Sequence, residues 1–343
     1  MKKKLKIIFK IIILLPALTS CQNGNHPINT DYVVAYIDSL QISIKQVDIR
    51  ARQEIYDELN RVYLIRKIAL EEILREKLLG LEATKYNLTI EKLIDSIYYM
   101  ALRHNKLQRF ISENHYSEGI PAFERTLKYY EIQSEDGNNI LHKRFKEYIL
   151  KNYIDSLKLV YKTRVLLEPP IPPNIKITNL LVHYRGNLKS KTNCIIISDF
   201  ECEMCRKYNP LFDSLYIKYK DKVKFGFTNF GSYATISAIA TECAAKQGKF
   251  WEMHDALFSL SDLPDTTRIF SIAYDLDINI NEFKNDFYDK KTQNAIENNL
   301  NLIINSGIYA TPTIMINNRP IFNSSSIVEI EQLLLNTLSS PDG

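Results

Sequence analysis

Two cysteines three residues apart, Cys202 and Cys205, are the residues of this 343-residue chain best placed to do chemistry. They bracket Glu203 and Met204, directly after the short β-branched run Cys194 to Ser198 and at the start of a helical pattern reaching Tyr219. A thiolate at a helix N-terminus meets unpaired N–H groups and the positive end of the macrodipole, which stabilise the anion and make it the attacking sulfur. The second cysteine lies one turn on, where it can close a small disulfide or release a trapped partner. Cys202 is therefore expected to be the exposed nucleophile and Cys205 the shielded resolving thiol. The same spacing is also half of a zinc site, but a closed site needs two further ligands at suitable spacing. Only scattered histidines, Cys194 and Cys243 remain to supply them. Strand–CxxC–helix context favours redox chemistry, which needs no cofactor because the cysteine pair carries the two electrons.

The elements that must hold this pair are legible in outline. Ile175 to Tyr184 reads as an irregular strand, Cys194 to Ser198 as a buried central strand, and Val223 to Asn229 as another. Helical patterns cover Cys205 to Tyr219, with a kink expected at Pro210, Tyr233 to Leu260 with a break, 266–275 and 281–307. Thr313 to Ile321 contains a strand with a tight turn at Asn317-Asn318, because asparagine tolerates positive φ. A last helix runs from Ser325 to Leu338. This is an α/β layout with a mixed sheet. Pro312 stands just before the apolar strand, where a proline cannot donate to the ladder.

From about residue 193 onward the chain resembles the DsbA-like branch of the thioredoxin superfamily. The matching pieces are Ser198-Asp199-Phe200-Glu201-Cys202, then Gln247-Gly248-Lys249-Phe250-Trp251-Glu252-Met253-His254-Asp255, then Ala310-Thr311-Pro312-Thr313, in family order. The resemblance implies a thioredoxin-like fold with an inserted helical subdomain, and disulfide exchange with protein substrates. It implies that Pro312 is cis and packs against the CxxC, and that the backbone of Thr311 pairs with the substrate peptide. The family often has Pro-Tyr or Pro-His between the cysteines. With Glu203 and Met204 there, and Glu201 adjacent, the thiolate of Cys202 is expected to be less favoured and the protein a milder oxidant than DsbA itself. Trp251 is expected to anchor the inserted subdomain, His254 to be a surface or capping residue beside Asp255, and Cys194 and Cys243 to be buried free thiols.

Ahead of this region, Pro169, Pro170, Pro172 and Pro173 mark a stiff linker over 169–173. Residues 31–168 are expected to be an all-α domain, so that the whole chain is α+β/α/β with its thioredoxin-like domain at 174–343. It opens on a strand-like stretch from Asp31 to Asp38, followed by a capping-box spacing at Ser43 and Gln46. Apolar residues at helical spacing follow from Ile55 to Leu78, with Gly80 as a punctuation point, and further helices are expected at 90–115, 121–133 and 139–164. Val33 to Ser43 and Leu78 to Ala83 weakly resemble the helical part of SurA-type chaperones. That resemblance implies a peptide-binding or dimerising module; the plainer reading is a spacer.

The first 20 residues carry five lysines and an apolar run, Ile11 to Leu15, too short to span a bilayer comfortably. They read as a signal peptide. Leu18-Thr19-Ser20-Cys21 resembles a bacterial lipobox, which implies acylation of Cys21 and a polar tether over 21–30. The formal charge of +4 falls to −1 once those lysines are set aside, which leaves no footprint for nucleic acid. The expected partners are exported proteins with thiols or disulfides, the membrane through the lipid anchor, and a membrane redox partner if the protein is an oxidase. The expected location is the periplasmic side of a bacterial membrane, by analogy the outer one. The alternative function is a chaperone or binding lipoprotein that uses the thioredoxin fold as a scaffold.

Overall fold

The computed structural model describes residues 31–114 and 134–340. The signal peptide, Cys21, the tether and the helix expected at 121–133 lie outside the described residues. Among the described residues, those from Asp31 to Asp48 group as one compact unit and those from Ile49 onward as a second.

In the first unit, strands β1 (Val33–Ile37) and β2 (Leu40–Ser43) pair antiparallel. The expected strand is thus half of a hairpin, turned at Asp38, whose φ of 53° a short polar side chain tolerates. The capping box forms: the Ser43 N–H donates to Gln46 Oε1 at 2.8 Å, and the Gln46 N–H to Ser43 Oγ at 3.4 Å. Helix α1 starts there and runs Ile44–Lys85, about 63 Å at 1.5 Å per residue. Gly80 does not interrupt it; a single glycine costs a helix only about 1 kcal/mol, and packing at Leu78, Leu79 and Ala83 continues past it.

The second unit holds two groups of elements. The first packs the C-terminal part of α1 against α2 (Ile90–Arg103), α3 (Lys106–Glu113) and α4 (Glu135–Val160). Thr89 and Ser134 cap α2 and α4 through their hydroxyls. Leu78, Leu79, Leu150, Ile154 and Leu157 form one cluster, and Phe110, Leu141, Phe145 and Ile149 another. Glu82 is buried beside the first. Burial alone would raise its pKa, but hydrogen bonds from Tyr161 (3.0 Å), Lys85 and Tyr153 (both 3.3 Å) outweigh it and hold the carboxyl below its ordinary value. Glu82→Ala is expected to cost about 2–3 kcal/mol, since it strands two tyrosine hydroxyls. Urea unfolding reads this, and a loss under about 0.5 kcal/mol, the value for an ordinary surface change, would refute it.

The second group is a five-stranded sheet, β3 (His183–Gly186), β4 (Asn193–Ser198), β5 (Lys224–Asn229), β6 (Thr313–Ile316) and β7 (Arg319–Pro320), in the order β3-β5-β4-β6-β7. Only β4 and β5 pair parallel, and α5 (Glu203–Tyr219) is their crossover; Pro210 lies inside it. The strand expected from Ile175 shrinks to His183–Gly186. The Leu181 N–H is taken by Asn299 Oδ1 at 2.8 Å and the Ile175 N–H by the Asn318 carbonyl at 2.7 Å, so neither joins a ladder. No helix or strand occurs over 163–182, the stretch holding the four prolines. Asn317 and Asn318 turn β6 into β7 with φ of 45° and 66°.

Between β5 and β6 come α6 (Ile236–Lys246), α7 (Phe250–Phe258), α8 (Thr266–Asp275), α9 (Ile280–Tyr288) and α10 (Lys290–Asn305). The stretch expected as one helix over 281–307 is two, because Asp289 ends α9 and its side chain caps α10. Helix α11 (Ile327–Leu338), capped by Ser326, closes the chain. One core joins the sheet to the inserted helices through Phe200, Phe212, Phe225, Phe227, Met253, Leu257 and Phe283.

His254 departs from expectation: it is buried in that core, not on the surface. Its ring lies 4.5 Å from Phe227 and 5.0 Å from Trp251, centroid to centroid, and Nδ1 lies 2.8 Å from Asp255 Oδ1. The aromatic cage takes the ring out of water, and burial lowers its pKa despite Asp255. The folded protein resists a proton that the unfolded chain accepts. Stability is therefore expected to fall as pH drops through about 6.5, by up to about 1.4 kcal/mol at pH 5.5. Urea midpoints from pH 8 to 5.5 read this, and a His254→Gln variant should lose that part of the slope; an unchanged slope would contradict it. Trp251 anchors as expected: its indole N–H donates to the Tyr184 carbonyl at 3.2 Å, and the Arg185 guanidinium stacks on it at 4.0 Å.

Candidate active site

The chain leaves the buried strand β4 at Ser198, turns through Asp199, Phe200 and Glu201, and enters α5 with Cys202 as its N-cap residue. The turn is tied locally, since Asp199 Oδ1 accepts the Glu201 N–H at 3.0 Å. Phe200 fastens it to the core, 4.7 Å from Phe258 and 5.4 Å from Phe227.

The sulfur of Cys202 occupies the place of a capping oxygen. It accepts the N–H of Cys205 at 3.4 Å, one of the helix's otherwise unpaired donors. Cys202 is half-buried, whereas Cys205 is buried one turn on, where loss of water pushes its thiol pKa up. Both are free thiols. The pair is thus asymmetric, with one sulfur reachable and held by a backbone donor and the other shielded behind it.

The loop between α10 and β6 supplies the other wall. The Thr311–Pro312 peptide bond is cis, and the Thr311 carbonyl lies 3.9 Å from Cys202 Sγ. The structure therefore brings Cys202, Cys205, Thr311 and Pro312 together across 109 residues of sequence between Cys202 and Thr311. Thr313 begins β6, which pairs antiparallel with β4, so the two segments that meet at the site are the ends of adjacent strands.

Two carboxyls lie close by. Burial raises the pKa of Asp199, and burial together with the neighbouring Asp199 raises that of Glu201. Tyr233 donates to Glu201 Oε2 at 3.5 Å. Cys194 and Cys243 are buried free thiols, each pushed up to about 12 by burial. Among the described residues no group of three or more His, Cys, Asp or Glu is arranged to hold a metal ion, and no helix is long and apolar enough to cross a membrane.

One residue at this loop carries no mark in the sequence. Gln53, on α1, reaches both ends of the segment 309–313 with its side-chain amide. A glutamine amid helical spacing reads as solvent-facing, and nothing local tells that it is buried.

Residues 179–335 match a protein family described as thioredoxin. Disulfide bond formation protein D of Bacillus subtilis is 29% identical over 165 residues, which cover 43% of this chain and 73% of that protein. A Na(+)/H(+) antiporter, NhaA 3 of Salinispora tropica, is 30% identical over 142 residues, 40% of this chain. The chain spans only 22% of that antiporter's length. Among solved structures, oxidised BdbD from Bacillus subtilis is similar at 24% identity with a TM-score of 0.42, covering 50% of this chain and 98% of that one. The C-terminal half of the chain is a thioredoxin-like fold, joined to a large helical N-terminal region.

Proposed function

We propose that this protein is an exported, lipid-anchored thiol–disulfide oxidoreductase, with Cys202 attacking and Cys205 resolving. The observation that carries the reading is the Cys202 sulfur at the α5 N-cap, accepting a backbone N–H, with a buried thiol one turn behind it. In the reducing direction the Cys202 thiolate attacks a client disulfide, forms a mixed disulfide and expels one client thiolate. Cys205, on losing its proton, attacks the Cys202 sulfur, expels the second client thiolate and leaves the pair oxidised. Oxidation of a client dithiol is the same sequence reversed. Thr311 and Pro312 form the client-binding edge, with the Thr311 backbone pairing with the client strand. The clients are exported proteins with thiols or disulfides; the likeness to a disulfide bond formation protein of Bacillus subtilis supports disulfide chemistry as the activity.

The direction is decided by the redox state of the pair in living cells, read by acid quenching and thiol alkylation. A mostly oxidised pair identifies a disulfide donor that needs a membrane recycling partner, and a mostly reduced pair identifies an isomerase or reductase. Failure of the purified protein to exchange disulfides with any thiol or peptide would sink the assignment. The anchor has its own test: Cys21→Ser is expected to abolish incorporation of labelled fatty acid and release the protein from membranes, and unchanged labelling would refute acylation at Cys21. In the domain scheme proposed with it, a signal peptide (1–20), tether (21–30), helical domain (31–168) and proline linker (169–173) precede the redox domain (174–343).

One observation favours a second reading for the helical part. The middle of α1 exposes Leu59, Val62, Ile65, Ile68 and Ile73, a run of large apolar side chains of the kind that marks interaction surfaces. A client-holding chaperone would use such a surface and would survive serine at both Cys202 and Cys205. Suppression of client aggregation by that double variant supports this reading, and loss of suppression with loss of exchange rejects it.

A further inference from the structure

The loop that carries Thr311 and Pro312 is held from outside the thioredoxin-matched region 179–335, by the first turns of α1. Gln53 is 4% exposed and 260 residues from its hydrogen-bond partner Thr313. Its Nε2 donates to Thr313 Oγ1 at 2.9 Å, and its Oε1 accepts the Tyr309 N–H at 3.4 Å. A single planar amide therefore brackets the segment Tyr309 to Thr313. The Thr313 hydroxyl in turn donates to the Ala310 carbonyl at 2.7 Å, inside the bracket. Tyr309 adds a second tie, its hydroxyl donating to Asp57 Oδ2 at 2.9 Å one turn further along α1.

The backbone is fitted to this docking. The Gln53 N–H donates to the Gly307 carbonyl at 3.3 Å, and the Arg52 guanidinium donates to the Ser306 carbonyl. Gly307 has φ of +79°, and a Cβ there would lie 2.2 Å from the Ile49 carbonyl oxygen. Only glycine permits that close approach.

We propose that Gln53 is a positioning residue for client binding: its amide sets the backbone of Thr311, the edge a client strand must pair with, relative to Cys202. The inference rests on the redox reading of the site and adds a residue from the helical region to it. Gln53 touches neither reacting sulfur, so its effect should depend on the size of the partner. A small thiol needs only Cys202, whereas a peptide must also align on the Thr311 backbone.

The test compares the full-length protein with Gln53→Met, which keeps the volume and removes both side-chain hydrogen bonds, and with Gln53→Glu, which keeps the acceptor for Tyr309. Gln53→Met is expected to raise KM for a disulfide-bonded peptide about tenfold with kcat nearly unchanged. Its reaction with dithiothreitol should stay within about twofold of wild type, taking uncoupled surface effects as the yardstick. Gln53→Glu should fall between the two. Amide hydrogen exchange of Tyr309 should accelerate in Gln53→Met and less so in Gln53→Glu. Equal loss toward peptide and dithiothreitol would overturn the inference, as would unchanged KM or unchanged Tyr309 exchange in Gln53→Met. A wild-type protein inert toward both partners would instead overturn the redox reading and this inference with it. Faster Tyr309 exchange would then still locate the clamp.

Discussion

Cys202→Ser is expected to lower disulfide exchange on the order of a thousandfold or more, to the uncatalysed background. The hydroxyl still fits the N-cap and can accept the Cys205 N–H, so the helix start should survive. What disappears is the reachable sulfur, and the remaining thiol of the pair is buried with its pKa raised. Cys205→Ser should behave differently. Attack at Cys202 proceeds, but nothing inside the protein can release the partner, so mixed disulfides with clients should accumulate. Non-reducing gels of the two variants read both outcomes. Covalent complexes that persist in Cys202→Ser, or none in Cys205→Ser, would reverse or remove the assigned roles.

Phe227→Ala is expected to destabilise the C-terminal thioredoxin-like fold by about 3–5 kcal/mol. Phe227 is a buried β5 residue whose ring lies between Phe200 on the active-site turn and Phe250, His254 and Phe258 on α7. Truncation removes one of the rings that join the sheet to the inserted helices and leaves a cavity beside Phe200, Phe250, His254 and Phe258. Because Phe200 stands two residues before Cys202, the turn that presents the sulfur should also loosen. Urea unfolding measures the loss, and the alkylation rate of Cys205 should rise as its cover opens. A change below about 1 kcal/mol would show that the site collapses around the gap and that the ring is no keystone.

Much of the C-terminal fold was legible because its signals are local. The β-branched run Cys194 to Ser198 can be little but a central strand, and it pairs on both sides in the structure. Helix starts are written in single side chains: Thr235, Asp265 and Ser326 each cap the helix that follows. The break at Asp289 was missed because the apolar spacing on its two sides stays close to helical, and a capping aspartate within such a pattern is easily passed over. The strand at Ile175 failed for a non-local reason, since its N–H groups are claimed by Asn318 and by the Asn299 side chain from distant elements. His254 was placed outside because histidine beside aspartate on a helix reads as polar. Its burial is decided by Phe227 on β5 and Phe200 on the turn after β4, which close over it from distant elements.

The sequence by itself determined the setting of the thiol pair, since C-x-x-C spacing after a buried strand and before a helix places one sulfur at a helix N-terminus and the other one turn on, through bonds no longer than one helical turn. It also determined the asymmetry between the two sulfurs, because the N-cap position faces outward and the next turn faces the core. Only the tertiary structure decided what faces Cys202. Thr311 and Pro312 arrive from 109 residues away by the pairing of β6 with β4, and Gln53 arrives from 260 residues away by the seating of α1 on the loop before β6. Such contacts depend on summed packing and strand order over the whole chain, and a glutamine carries the same local signal whether it ends in water or in a clamp.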